Sequence, residues 1–216
     1  MTPNDIIGMA LLNGLDLIAV TDHNSFANAE AVIKAARGKS LIVLPGSEIT
    51  TAEEVHVLCL FSNIETALNF ESELFPYYST LSNRTDIFGN QVLFDENDNV
   101  TGELERMLFA PTSMSFDDLF SLTDKHGGAF IPAHIDRDSF SVLSNLGFFP
   151  PHLDIKTVEV SQHGLDVGFV KNNSGRFPND RVIFSSDAHH LWDISEKNNF
   201  LLLPECSAEA VIDFLR

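Results

Sequence analysis

The sequence predicts a single-domain α/β fold over residues 1–216. Short apolar runs alternate along the chain with longer amphipathic stretches, a pattern typical of strands and helices packed in layers. With 216 residues and 44% hydrophobic content, the chain is long enough for one sizeable core and short for two. The alternation favours a mainly parallel sheet, either open or closed into a barrel.

The elements follow in order along the chain. Thr2 is a predicted N-cap and Pro3 suits the first helical position, so the chain is expected to begin with a helix. Strands are predicted at Leu15–Val20, Leu41–Leu44, Val55–Phe61, Ala129–Pro132, Ile155–Val160, Val182–Ser185 and Phe200–Leu203. Further helices are predicted near Asn28–Arg37, Ile64–Leu74, Ser115–His126 and Ala208–Leu215. A turn-rich stretch predicts a hairpin insertion near residues 88–107, either a lid or a plain surface excursion.

Composition limits the classes of partner and the expected location. The formal net charge of −18 disfavours extended nucleic acid but leaves a small phosphorylated ligand open. Cys59 lies in an apolar run and Cys206 at a helix start, which indicates neither a disulfide framework nor a cysteine-rich zinc site. The sequence shows no signal peptide and no apolar run long enough to span a membrane. A reducing cytoplasm is therefore the expected location.

Histidines and carboxylates follow several of the predicted strands. The clusters are Thr21–Asn24, Gly46–Ile49, Glu54–Val57, Pro132–Arg137 and Ser185–His189. Any one of these clusters is equally well explained by a structural histidine or a helix-capping aspartate. Because strand ends of α/β folds meet at one rim, the five together predict a crowded group of imidazoles and carboxylates that cations would neutralise. Zinc, manganese and iron are the ions that this set of ligands suits.

The ordered motifs TDHN, GSEIT, EEVHVL, PAHIDR and SSDAH resemble those of the PHP (polymerase and histidinol phosphatase) superfamily. The similarity extends from the first helix to the cluster at Ser185–His189. It implies a distorted (β/α)7 PHP-type barrel with up to three divalent metal ions at the rim, most often used to hydrolyse phosphoesters. The motifs gain their specificity from their order and spacing together, since each alone is weak.

The resemblance also implies a role for each site residue. Glu48 resembles the carboxylate that bridges two ions, and His56 and His134 complete the second metal site. The remaining assignments are Asp187 to the first ion, His23 and His189 to the third, and Asp22 to a position behind the ligands that orients an imidazole. Asp187, Arg137 and His189 are the candidate catalytic residues. Arg137 can fork onto phosphate oxygens, or it can pair with Asp136 or Asp138.

One part of the family pattern is missing from this sequence. Family members begin with a strand that ends in a His-x-His motif, and both histidines bind the first ion. No residue of this chain matches that motif, so we expect few ligands at the first site and fewer ions than three. The missing first strand also leaves a sheet edge beside Leu15–Val20, which a homodimer partner would cover.

The resulting functional hypothesis is a metal-dependent phosphoesterase that hydrolyses a small phosphomonoester or short phosphodiester. Histidinol phosphate is one candidate substrate among many. The alternative is a non-catalytic metal-binding module, which the missing strand favours. An amidohydrolase-type barrel is less consistent with the sequence, because Lys125 and Lys156 are not placed to bridge metals. The TatD-like nucleases share the order of ligands but not the pairs Asp22–His23 and Asp187–His189.

Overall fold

The computed structural model describes residues 1–173, 175–177 and 181–216, and it is a mixed α/β structure. The strands are β1 (Leu17–Val20), β2 (Ile42–Thr50), β3 (His56–Leu60), β4 (Val92–Phe94), β5 (Val100–Glu103), β6 (Ala129–Pro132), β7 (Thr157–Val160) and β8 (Arg181–Phe184). The helices are α1 (Pro3–Leu12), α2 (Ala29–Ala35), α3 (Ile64–Leu74), α4 (Thr85–Phe88), α5 (Phe116–Lys125), α6 (Val142–Asn145), α7 (Gln162–Asp166), α8 (Phe169–Asn172) and α9 (Ala208–Leu215). Short 3₁₀ turns follow at Phe75–Tyr77 and Leu191–Asp193.

The main sheet has the strand order β1-β2-β3-β6, and its pairing directions differ from those predicted. Strands β1 and β2 are parallel, whereas β3 runs antiparallel to both β2 and β6. The prediction of a mainly parallel sheet was therefore wrong for this sheet. Only residues 51–55 connect β2 to β3, and a parallel crossover needs about a dozen residues or more. The short connection forces the chain to double back.

Strands β7 and β8 form a separate parallel pair. This pair meets the main sheet where Ile135, just beyond β6, donates its backbone N–H to the Glu159 carbonyl oxygen of β7 at 2.9 Å. Within the described residues, the ladders do not join into a closed barrel. The seven-stranded barrel therefore remains a prediction.

Three apolar clusters hold the layers together. The largest packs α3 and α5 against the sheet and contains Phe26, Phe61 and Phe70. A second places α9 against β3 and β6, and a third places α1 and α2 against β1. The long helices begin at well-formed caps, because Asn63 accepts a hydrogen bond from the Thr66 N–H at 2.9 Å and Ser115 accepts one from the Asp118 N–H at 3.1 Å.

The antiparallel hairpin β4–β5 occupies the segment for which the sequence predicts an insertion. Its contacts are with the first two helices. The Asn4 backbone N–H donates to Asp98 at 2.9 Å, and the Asn28 side chain bonds to both Val92 and Phe94. These bonds attach the hairpin to the side of the molecule formed by α1 and α2.

The stretch Phe200–Leu203, predicted as a strand, has no strand structure. Leu201 and Leu203 pack against the α9 cluster while Leu202 is 91% exposed, so the side chains alternate as in a strand. No described strand pairs with this segment, and alternation without a ladder partner does not make a sheet.

Among the described residues, no helix is long and apolar enough to cross a membrane.

Candidate metal centre

Glu48 lies at the centre of a buried group of histidines. It is near the end of β2 and is only 5% exposed. Its Oε1 is 3.0 Å from His56 Nδ1 and 3.2 Å from His134 Nε2, and its Oε2 is 3.2 Å from His23 Nδ1. The two carboxylate oxygens thus face two different sets of imidazoles, as a carboxylate that bridges two ions would.

The ladders explain why these residues meet. His56 pairs with Thr50 across β2 and β3, which brings it to the same rim as Glu48. His134 follows β6, whose Pro132 pairs with Val57. His23 follows β1 and forms a single bridge with Glu48. His56 therefore begins its strand rather than following it, because β3 is reversed relative to β2 and β6.

The spacing of three atoms in this group fits a divalent metal ion. Glu48 Oε1, His56 Nδ1 and His134 Nε2 are separated by 3.0, 3.2 and 3.3 Å. Ligands bound tetrahedrally to zinc at 2.0–2.1 Å lie about 3.3 Å from one another. The Nδ1 atom of His134 is buried and has no hydrogen-bond partner among the described residues. The donor set and its spacing are thus those of three of the four ligands of a tetrahedral site.

His23 and His189 form the second side of the group. Their ring centroids are 5.9 Å apart, and the rings of His23 and His56 are 5.4 Å apart. His189 donates its Nδ1–H to the Asp187 carbonyl oxygen at 2.9 Å. That bond fixes the tautomer and leaves Nε2 as the free ligand atom of the ring.

Arg137 and Asp187 form an ion pair at the edge of the group, with Nη2 2.7 Å from Oδ2. Neither alternative partner proposed for Arg137 is used. Asp136 instead accepts hydrogen bonds from the backbone N–H and the hydroxyl of Ser161, at 2.7 and 2.5 Å. The Asp187 carboxylate therefore lies beside the group, paired with a cation that is itself half-exposed.

Asp22 follows β1 and contacts β2 through its backbone. Its backbone carbonyl accepts hydrogen bonds from the Ser47 hydroxyl at 2.8 Å and the Glu48 N–H at 3.2 Å. Its side chain lines a small cavity together with Pro3 and Asn28. The main chain of Asp22 thus supports the strand end that carries Glu48.

The protonation states of Glu48 and the surrounding histidines depend on one another. Burial acts to raise the pKa of Glu48, but hydrogen bonds from His134 and His56 outweigh it and hold that pKa well below its ordinary value. Burial also acts to lower the pKa of His134, but the Glu48 carboxylate outweighs it and raises that pKa. Burial lowers the pKa of His23 despite the nearby Glu48 charge. Glu48 is therefore ionised and His23 is neutral, which are the forms that bind metals.

Glu159 on β7 is a residue of this region that the sequence analysis missed. It is 4% exposed, and its carboxylate accepts the His134 backbone N–H at 3.0 Å and the Ser185 hydroxyl. Burial raises its pKa to about 7. The signal available in the sequence was a lone acidic residue within the apolar run Thr157–Val160, since a buried carboxylate needs such partners.

Comparisons with known proteins bear on the fold. No protein-family model matches the chain, and no curated protein matches it either. It is similar to the lesion-specific endonuclease PfuEndoQ from Pyrococcus furiosus, with a TM-score of 0.57 and 15% identity over 88% of this chain and 44% of that one. It is also similar to an endonuclease Q bound to a 27-mer duplex, with a TM-score of 0.52 and 15% identity over 74% of this chain and 38% of that one.

A third similar structure is a protein assigned as a metal-dependent phosphoesterase from Bifidobacterium adolescentis. Its TM-score is 0.52 at 16% identity, over 93% of this chain and 85% of that one. The chain therefore shares its fold with these proteins. The chain spans less than half the length of the endonuclease Q chains, so the similarity to them concerns the fold alone.

The endonuclease Q complex weakens the expectation that extended nucleic acid is excluded as a partner. That structure holds a 27-mer duplex substrate with an abasic lesion at the active site, so a protein of similar fold acts on an extended nucleic acid. The exclusion of extended nucleic acid rests on the net charge of −18 alone and gains no support from the fold.

Proposed function

We propose that this protein is a metal-dependent phosphoesterase in which Glu48, His56 and His134 bind the ion of the second metal site. The observation that carries the proposal is the buried Glu48 carboxylate, which meets imidazoles at both of its oxygens. Without a cation, three histidines around one carboxylate leave ring nitrogens facing each other at 3.3 Å. With one, each nitrogen directs a lone pair at the ion.

Each residue would have a distinct task. When bound, the divalent ions supply an activated water and withdraw charge from the phosphoryl group. Glu48 holds the two halves of the site together, with His23 and His189 on the Oε2 side. Arg137 is half-exposed beside the site and would bind phosphate oxygens once it leaves Asp187, which would then be free to act as a ligand.

The finer expectations from the sequence belong to the same proposal. They are a distorted seven-stranded barrel, zinc, manganese or iron as the ion, and a small phosphomonoester or short phosphodiester as substrate, with histidinol phosphate as one candidate. Asp22 is proposed to orient His23, its neighbour in sequence. We also propose a cytoplasmic location and a homodimer whose interface covers the free edge of β1.

A hydrolysis assay tests the proposal. Protein stripped with a chelator is reloaded separately with zinc, manganese or iron(II), and release of nitrophenol from p-nitrophenyl phosphate and its diester is measured. We expect hydrolysis by at least one reloaded form and none by the stripped form. The His152→Ala variant, which removes an exposed histidine paired with Asp117, should behave like the parent. Bound metal without hydrolysis of either ester would contradict the proposal and indicate a non-catalytic metal-binding module.

Metal binding should stabilise the protein more at alkaline than at acidic pH. The raised pKa of His134 means that its ion pair with Glu48 stabilises the metal-free protein at low pH and is lost as pH rises through that pKa. Metal needs the neutral imidazole, so its binding strengthens over the same range. Thermal unfolding with and without manganese should show a larger increase in Tm at about pH 8 than at about pH 6. An increase that is constant or larger at the lower pH would contradict this account.

Glu159 should matter for metal affinity through the position of His134. Glu159→Ala removes the acceptor of the His134 N–H, and we expect metal affinity to fall about 10- to 100-fold, as for other groups that support ligands. Glu159→Gln should stay close to the parent, because its carbonyl can accept the His134 N–H and its amide can donate to Ser185. Calorimetric titration with manganese measures both variants. Equal losses in the two variants would show that the carboxylate does not act through these hydrogen bonds.

A further inference from the structure

Two half-exposed phenylalanines contact the imidazoles of the candidate metal centre. Phe140 stacks on His56 with ring centroids 4.8 Å apart and an interplanar angle of 25°. Phe109 lies against His23 with centroids 5.2 Å apart. The side chains are 44% and 51% exposed, respectively. Because the rings of His23 and His56 are themselves 5.4 Å apart, four rings form a row with a phenylalanine at each end.

The backbone at Phe140 is unusual for so large a residue. Its φ is +55°, in the left-handed region that bulky side chains rarely adopt. Its carbonyl oxygen accepts the His56 N–H at 2.9 Å, so the strained residue is tied to the same histidine that its ring covers. Backbone strain of this kind persists where the surrounding structure enforces it, and it is concentrated at binding and catalytic sites.

Location distinguishes these two rings from other exposed phenylalanines. Phe75 and Phe148 are also more than half exposed, but neither has a ring contact with a histidine in the described part of the chain. Phe88 lies 5.9 Å from Phe109 and is 42% exposed, so it extends the aromatic surface away from the site. The phenylalanine surface therefore begins at the metal ligands and continues outward on one side.

We propose that Phe109 and Phe140 select phosphoesters that carry a planar aromatic ring close to the phosphoryl group. This inference rests on the proposed function, since it describes the substrate of that same site. A phosphoryl group bound to ions that Glu48, His23 and His56 would hold lies next to the row of rings, because the two imidazoles belong to that row. A planar ring there covers phenylalanine surface that water otherwise contacts, and aromatic rings attract one another in offset-stacked or edge-to-face arrangements. The net charge of −18 favours a small ester over a polyanion as the source of the ring.

A binding experiment tests the ring preference without requiring turnover. Phenylphosphonate and methylphosphonate are titrated into the manganese-loaded protein by calorimetry. We expect phenylphosphonate to bind about 10-fold more tightly, and Phe109→Ala and Phe140→Ala to remove most of that difference. Phe148→Ala, which removes an equally exposed ring elsewhere, should keep it. Since Phe140 is backbone-strained, Phe140→Tyr serves as the variant that retains a ring and should also keep the preference.

Hydrolysis assays distinguish an aryl ring from a nucleobase as the preferred ring. They also test the ring preference separately from the phosphoesterase activity. Phenyl phosphate and adenosine 5′-monophosphate carry an aryl ring and a nucleobase, respectively, and glycerol 2-phosphate carries no ring. We expect one of the first two to exceed glycerol 2-phosphate in kcat/KM by about 10-fold, and Phe109→Ala to reduce that ratio. Equal kcat/KM values for all three, with no binding preference, would overturn the ring inference and leave the phosphoesterase proposal standing. Binding preference without hydrolysis of any ester would overturn the phosphoesterase proposal alone.

Discussion

Replacing Glu48 by glutamine should lower phosphoester hydrolysis by about 10³-fold or more and reduce the metal content of the protein. The amide replaces one oxygen ligand with an N–H donor, which cannot bind a cation. Among the residues that the structure describes, Glu48 is the one side chain that bonds to His23, His56 and His134 together, so its loss disrupts both sides of the site. Removing several kcal/mol of charge stabilisation by metal ions corresponds to a rate loss of this size.

Glu73→Gln is the matched control for this variant. Glu73 is also a glutamate that contacts a histidine, with Oε1 3.0 Å from His126 Nε2, but it is exposed on α3. Metal content is measured by elemental analysis and activity with p-nitrophenyl phosphate. We expect Glu73→Gln to retain both properties of the parent. A Glu48→Gln protein with full metal content and activity within about tenfold of the parent would exclude Glu48 as the bridging ligand.

Replacing Phe70 by alanine should destabilise the fold by about 3–5 kcal/mol, the cost of a large cavity in a packed core. The Phe70 ring is fully buried, with centroids 4.9 Å from Phe61 and 5.8 Å from Phe26. Phe75→Ala deletes the same atoms from a ring that is 64% exposed just beyond the same helix. Urea unfolding should show a large fall in midpoint for Phe70→Ala and a small one for Phe75→Ala. Similar shifts for both variants would contradict the placement of α3 against the core.

Local patterns were sufficient to predict several elements of this fold. The helix Ile64–Leu74 and the strand Ala129–Pro132 have the predicted bounds, because each combines a clear periodicity with a strong boundary signal. Asn63 caps the helix, and Gly128 precedes the strand. Pairing direction was not predictable in this way, since it depends on the length of the connection between β2 and β3 rather than on either strand.

The sequence predicted that the central residues of the candidate site would lie close together, but not how the surrounding residues are arranged. The order of the motifs predicted that Glu48, His56 and His134 would meet, and they lie within 3.3 Å of one another. The ion pair between Arg137 and Asp187 was not predicted, because it depends on the loops in which they lie. Asp187 has a φ of +46°, a left-handed conformation that residue type alone does not reveal.

The most direct test of the central claim is a crystal structure of the manganese-loaded protein with anomalous scattering data. We expect an anomalous peak from manganese about 2.0–2.3 Å from Glu48 Oε1, His56 Nδ1 and His134 Nε2. A fully loaded protein whose anomalous peaks all lie elsewhere, with these three atoms still in direct contact, would contradict it.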